Sequence, residues 1–216
     1  MKLYSTVASR LEAFTQMIGD LRSRRVPALC VGLSAIHKAH FLYAVELEEP
    51  VLVITQDETS AARLVMDINA MADTGEAALL FPYRDFSYRQ VEGVSTEYEQ
   101  TRLSVLSRLA AGEASIVVAS MQAAMTRTIP KEVLLANTFS LSPGDAVSME
   151  KLAEKLSRSG YVRRPQVDGI SQFSIRGGIL DLYPPKEPAP VRIEFWGDEI
   201  DTMSYFELDS QRRTDT

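Results

Sequence analysis

Two short stretches carry residues whose types and spacing bear on chemistry. The first, "VGLSAIHKAH" from Val31 to His40, has the outline of a phosphate-binding loop. A G-x-x-x-x-G-K-[ST] loop gives each fixed residue a separate task. Its glycines let backbone N–H groups close on phosphate oxygens, its lysine reaches the terminal phosphates, and its hydroxyl holds Mg²⁺. Gly32 and Lys38 stand in place, but His37 replaces the second glycine and Ala39 the hydroxyl. A histidine Cβ and ring crowd the turn that glycine opens, and a methyl group cannot ligate a cation. Gly32, His37, Lys38 and Ala39 therefore form a degenerate loop, and no nucleotide or other cofactor is expected.

The second stretch is "VRIEFWGDEI", Val191 to Ile200. Strand side chains alternate between faces, so Val191, Ile193 and Phe195 are expected to face a core, and Arg192, Glu194 and Trp196 solvent. In "QFSIRGG" the same rule turns Phe173 and Ile175 inward and Ser174 and Arg176 outward. A small antiparallel sheet normally keeps one wet face, and Arg and Trp often carry binding energy at interfaces. Substitutions at Arg176, Arg192 and Trp196 are accordingly expected to spare the fold. For Trp196 the residues alone leave two readings, an interface indole or one partly covered by a neighbouring loop.

Other constellations offer less. Cys30, His37 and His40 do not fit a zinc spacing, and Asp198, Glu199 and Asp201 read as a solvated rim, so no metal is expected. The only two histidines, His37 and His40, lie at one helix start, and no Ser-His-Asp or Cys-His set can be assembled; catalytic residues are expected to be none. Arg24–Arg25 and Arg163–Arg164 read as isolated surface pairs. Phe86 and Tyr88, in the segment Arg84–Thr96, are aromatics that more often pack on their own domain than stack on bases.

The elements that position these residues follow from patterning in a chain of 216 residues, 45% of them hydrophobic. The apolar residues Val7, Leu11, Phe14, Ile18 and Leu21 recur at helical spacing and predict an opening amphipathic helix. The short apolar runs "PALCVGL", "PVLVITQ", "AALLF" and "SIVVAS" alternate with the helical segments "TSAARLVMDINAMAD" and "STEYEQTRLSVLSRLAAG", which predicts βαβ units around a parallel sheet buried on both faces. Cys30, inside the first run, is expected to be a buried thiol in a reducing cytoplasm. From about Phe139 the style changes. One short helix, "SMEKLAEKLSRSGY", precedes closely spaced strands broken by Gly and Pro, the pattern of an antiparallel sheet. The fold class is thus α/β: a degenerate P-loop-like parallel-sheet domain over 1–138, then a small α+β domain over 139–216.

Charge narrows the function classes. The net charge is −6 and the pI about 5.1. Residues 1–138 hold 13 Lys and Arg against 16 Asp and Glu, and residues 139–216 hold 10 against 13, so neither half is a basic domain that gathers nucleic acid. No apolar run approaches a membrane span or the core of a signal peptide, and the expected location is cytoplasmic.

The blocks "FPYRDFSYRQVEGVSTEYEQTRLSVLSRL", "SIVVASMQAAM", "QFSIRGGILDLYPP" and "VRIEFWGDEIDTMSYFELDSQRR" resemble the amino-terminal part of the bacterial transcription-repair coupling factors (Mfd), in the right order and at the right separations. That region of the family is similar to UvrB, with a degenerate motor-like domain 1a followed by an inserted domain 2. The resemblance implies that His37 and Ala39 mark a nucleotide site inherited and then lost. It implies a non-catalytic module of transcription-coupled repair whose domain 2 binds UvrA through Arg176, Arg192 and Trp196, with Glu194 a less secure match. It also implies that RNA polymerase and DNA are contacted by regions outside this chain, where the ATP-dependent translocase motor lies. Two departures stand out. Nothing here compares with the long aromatic β-hairpin of UvrB, and Ser174 stands where UvrB has a further arginine. The competing class is a helicase-like half with residual nucleotide or DNA binding.

Overall fold

The computed structural model describes residues 7–8, 10–45, 47–72, 76–83 and 97–214. They divide into two compact units, Met1–Glu92 with Arg108–Arg127, and Gly93–Ser107 with Thr128–Thr216.

The first unit is built on a three-stranded parallel sheet of β1 (Val51–Thr55), β2 (Ala78–Phe81) and β3 (Ile116–Ser120), in the order β1-β3-β2. β3 is central and buried along its whole length, as its run of small and β-branched residues requires. Helices α1 (Glu12–Arg22), α2 (Ala35–Ala44) and α3 (Glu58–Asn69) belong to this unit. Ala39 and Tyr43 of α2 meet Ala61 and Ile68 of α3 and Ala78, Ile116 and Val118 of the sheet in one apolar cluster. Asp57 starts α3 by accepting the Ser60 amide at 2.7 Å, a bond to its charged form that holds its carboxyl below the usual range. At the other end Asn69 accepts the amides of Ala77 and Ala78 and donates to the Ala78 carbonyl, fixing α3 to the start of β2.

Several expectations fail in this unit. The run "PALCVGL" forms no strand: Leu29 is 88% exposed, Val26 and Val31 are exposed, and Cys30 is an exposed thiol rather than a buried one. An apolar run becomes a strand only beside an edge that pairs with it, and none of the described strands does so. Both faces of the sheet are covered over β2 and β3 but not over the edge strand β1. β1 alternates, with Leu52 and Ile54 exposed. Val7 and Ala8 are helical and α1 starts separately at Glu12, with Val7 and Leu11 exposed. The segment Arg84–Thr96, with Phe86 and Tyr88, lies outside the described residues.

The second unit contains α4 (Glu97–Ala110) in part, α6 (Lys131–Asn137) and α7 (Met149–Arg158), after the short α5 (Met121–Met125) of the first unit. Its sheet runs β4-β5-β6-β7-β8, with β4 (Val162–Arg163), β5 (Gln172–Arg176), β6 (Ile179–Leu182), β7 (Val191–Trp196) and β8 (Glu199–Tyr205). Every pairing is antiparallel except β4 with β5. Leu152 and Leu156 lie four apart on α7 and pack on one face of the sheet, against Phe173, Leu180, Leu182, Val191, Ile193 and Ile200. Gly160, at φ 89°, ends the helix as the sequence implies.

Candidate protein-binding face

The stretch from Gly32 to Ala39 leads into α2 and contributes to its packing. Gly32 keeps a left-handed φ of 82°, and Ser34 occupies the N-cap position of α2 with its hydroxyl 2.9 Å from His37 Nδ1. Ala39, at the hydroxyl position of a phosphate loop, is fully buried in the α2–α3–sheet cluster. Lys38 projects into solvent. A site for Mg²⁺ would need a ligand where this unit places a core methyl group.

In the second unit, register determines which side chains share the face opposite α7. Ser174, Asp181, Arg192 and Ser204 form one row across β5 to β8, and Arg176, Ile179, Glu194 and Thr202 the next. Trp196 follows at the end of β7, paired with Glu199 across a two-residue turn in which Gly197 takes φ 64°. A bulge places the extra residue on β8, so the alternation of β7 survives and Arg192, Glu194 and Trp196 do lie on one face.

Sharing a face does not mean sharing exposure. Trp196 is 85% exposed, and the Arg176 side chain is half-exposed. Arg192 retains only 14% side-chain exposure, and Ser174, expected in solvent, is buried with its hydroxyl donating to the Pro165 carbonyl at 2.9 Å. The cover comes from the segments at 165–167 and 206–213. Phe206 is buried with its ring 4.9 Å from the Arg192 guanidinium carbon, and Gln211 accepts from Arg192 Nη1 at 3.2 Å while its own Nε2 donates to the Val167 carbonyl. Arg192 is therefore not the solvent-facing side chain that strand alternation predicts.

The reason lies in Asp181, which sequence reasoning passed over. It is 1% exposed, and it accepts from Arg192 Nε at 2.7 Å and Nη2 at 2.9 Å, and from Arg176 Nη2 at 2.8 Å. These bonds raise the Arg192 guanidinium above its ordinary range, against the opposing effect of burial. The alternation that sends Arg192 to this face would have found Asp181 too, since Leu180 and Leu182 flank it in "ILDL". Glu194 is likewise engaged, in a close ion pair with Arg213 and a hydrogen bond from Thr202. Arg213, also missed, joins the face through the bridge pairing Phe206 with Arg213.

The face thus presents a bare indole beside guanidiniums anchored on buried or half-buried carboxylates. Such a surface can bury aromatic area and form directed bonds to carboxylates. Among the described residues no group of three or more His, Cys, Asp or Glu could hold a metal ion, and no helix is long and apolar enough to cross a membrane.

Residues 139–216 match the UvrB interaction domain. The transcription-repair-coupling factor of Bacillus subtilis is 32% identical over 213 residues, covering 98% of this chain and 18% of that protein. That of Myxococcus xanthus is 30% identical over 213 residues, covering 94% and 17%, and that of Escherichia coli 30% over 167 residues, covering 76% and 14%. The chain therefore spans less than a fifth of the length of these relatives. In sequence, both units are similar to one segment of the transcription-repair-coupling factors, and the second carries the match to the UvrB interaction domain.

Proposed function

We propose that this chain is a non-catalytic interaction module of a transcription-coupled DNA repair factor, and that its second unit recruits UvrA through the face bearing Arg176, Arg192, Glu194 and Trp196. The observation that carries this reading is Trp196, an indole 85% exposed at a hairpin tip on the same face as the half-exposed Arg176. Large aromatics left bare on a well-packed sheet cost solubility, and they repay it where a partner covers them. The match of residues 139–216 to the UvrB interaction domain supports the choice of partner. In the longer protein, RNA polymerase and DNA are partners of other regions, where an ATP-dependent motor resides, and the setting is the cytoplasm. Titration of UvrA into the purified chain tests the proposal: saturable binding that Trp196→Ala weakens supports it, and no binding by the folded chain defeats it.

The first unit is proposed to bind no nucleotide. The buried Ala39 and the solvent-facing Lys38 favour this over residual nucleotide binding.

A further inference from the structure

Asp181 sits at the centre of the polar face and serves two guanidiniums with one carboxylate. Arg192 faces it directly across β6 and β7, and Arg176 reaches it diagonally from β5. Both oxygens are engaged, Oδ1 by Arg192 Nε and Oδ2 by Arg192 Nη2 and Arg176 Nη2. The trio therefore carries a net positive charge, and its members differ in where they can express it. Arg192 is held to Asp181 along one edge and to the Gln211 carbonyl through Nη1, and its guanidinium carbon lies 4.9 Å from the Phe206 ring. Arg176 gives Asp181 a single donor, and its side chain is half-exposed.

We infer that Asp181 is a positioning residue for the binding face: it holds the Arg176 guanidinium so that its remaining edge receives a partner carboxylate, and Arg192 is the strut that fixes Asp181. This rests on the proposed function and assigns separate roles to residues that the sequence treats alike. An unanchored surface arginine gives up rotamer freedom when it binds, and an anchored one has given it up already. Asp181 does not compete for the partner's place, because a planar fork with five donors can keep one edge on Asp181 and offer the other. The net positive charge of the trio calls for an acidic group on the partner, opposite Arg176.

The test uses the full chain, with Arg176→Gln, Asp181→Asn and the double variant, titrated calorimetrically with UvrA after circular dichroism of each. Nitrogen-15 spectra of the arginine side chains report how freely each guanidinium rotates. In the unaltered chain the Arg176 and Arg192 guanidiniums are both expected to rotate slowly. Asp181→Asn is expected to free Arg176 and weaken UvrA binding about fivefold or more, and Arg176→Gln about tenfold or more. The double variant is expected to bind within about twofold of Arg176→Gln, because Asp181 acts through Arg176. If the unaltered chain binds UvrA and Arg176→Gln weakens it while Asp181→Asn does not, the positioning role is overturned and the proposed function stands. If the unaltered chain does not bind UvrA, both fall. If Asp181→Asn fails to fold, the unaltered chain decides: a freely rotating Arg176 guanidinium overturns the inference, and a slowed one together with the Arg176→Gln loss supports it.

Discussion

Arg192 and Asp181 meet across β6 and β7 as a two-pronged pair, Nε to Oδ1 at 2.7 Å and Nη2 to Oδ2 at 2.9 Å, with the carboxylate only 1% exposed. Arg192→Ala would leave that carboxylate buried with Arg176 as its sole cationic partner. Breaking a buried pair from one side costs about 3 kcal/mol or more, so Arg192→Ala is expected to lower the stability of the second unit by about that amount in denaturant unfolding. Arg192→Lys is expected to recover little of it, because an ammonium lacks the planar fork.

Trp196 stands at the opposite extreme. Its side chain contributes bare area at a hairpin tip, and Trp196→Ala is expected to leave stability within about 0.5 kcal/mol of the unaltered chain. Thermal unfolding of Trp196→Ala and Arg192→Ala in parallel checks both statements. A destabilised Trp196→Ala would mean that the indole packs on its own unit.

Much of this was legible in the sequence, and the failures have physical causes. Period two in "VRIEFW" and "ILDL" fixes which residues share a face, and pairing preserved that order even through the bulge on β8. What period two does not contain is the cover. Phe206 and Gln211 arrive from beyond β8 and convert Arg192 from a surface residue into a strut, and Pro165 does the same to Ser174. The run around Cys30 shows the complementary failure. Its composition suits a buried strand, but burial depends on a neighbouring edge, and the run has no strand partner among the described residues. In the stretch from Gly32 to Ala39 the structure adds only placement, with Ala39 in the core and Lys38 in solvent.

Two tyrosines in the second unit resist ionisation. Burial, with the nearby charge of Glu187 second, pushes Tyr161 up to about 12. Tyr205 is raised by its 2.7 Å hydrogen bond to Glu187, with burial adding to it. A phenol whose folded value exceeds its unfolded value near 10 binds more protons when folded between the two. Its stabilising contribution is full below pH 10 and is lost as pH rises toward 12. Stability of the unit is therefore expected to fall across that window, and Tyr161→Phe is expected to flatten the fall. Absorbance of tyrosinate during alkaline titration should show a late-ionising group that disappears in Tyr161→Phe.

In the first unit, Asn69 makes three hydrogen bonds to the backbone at Ala77 and Ala78. Asn69→Ala leaves those groups without their partner and is expected to cost about 2 kcal/mol. Hydrogen exchange should show the loss concentrated at the amides of Ala77 and Ala78.

ATP is expected to leave the melting temperature unchanged. A ligand at 100 times its Kd would add about 2.7 kcal/mol, a shift that thermal unfolding resolves easily. A rise in melting temperature that Lys38→Ala removes would restore the nucleotide-binding reading.

The central claim, that the second unit binds UvrA through its bare indole and anchored guanidiniums, is tested most directly by calorimetric titration of UvrA into the unaltered chain, Trp196→Ala and Arg176→Gln, each shown to be folded. Saturable binding by the unaltered chain is expected, weakened by about 2 kcal/mol or more in Trp196→Ala and by about 1.4 kcal/mol or more in Arg176→Gln, with Lys151→Ala on α7 unchanged. Equal affinity for UvrA in all four folded proteins would contradict it.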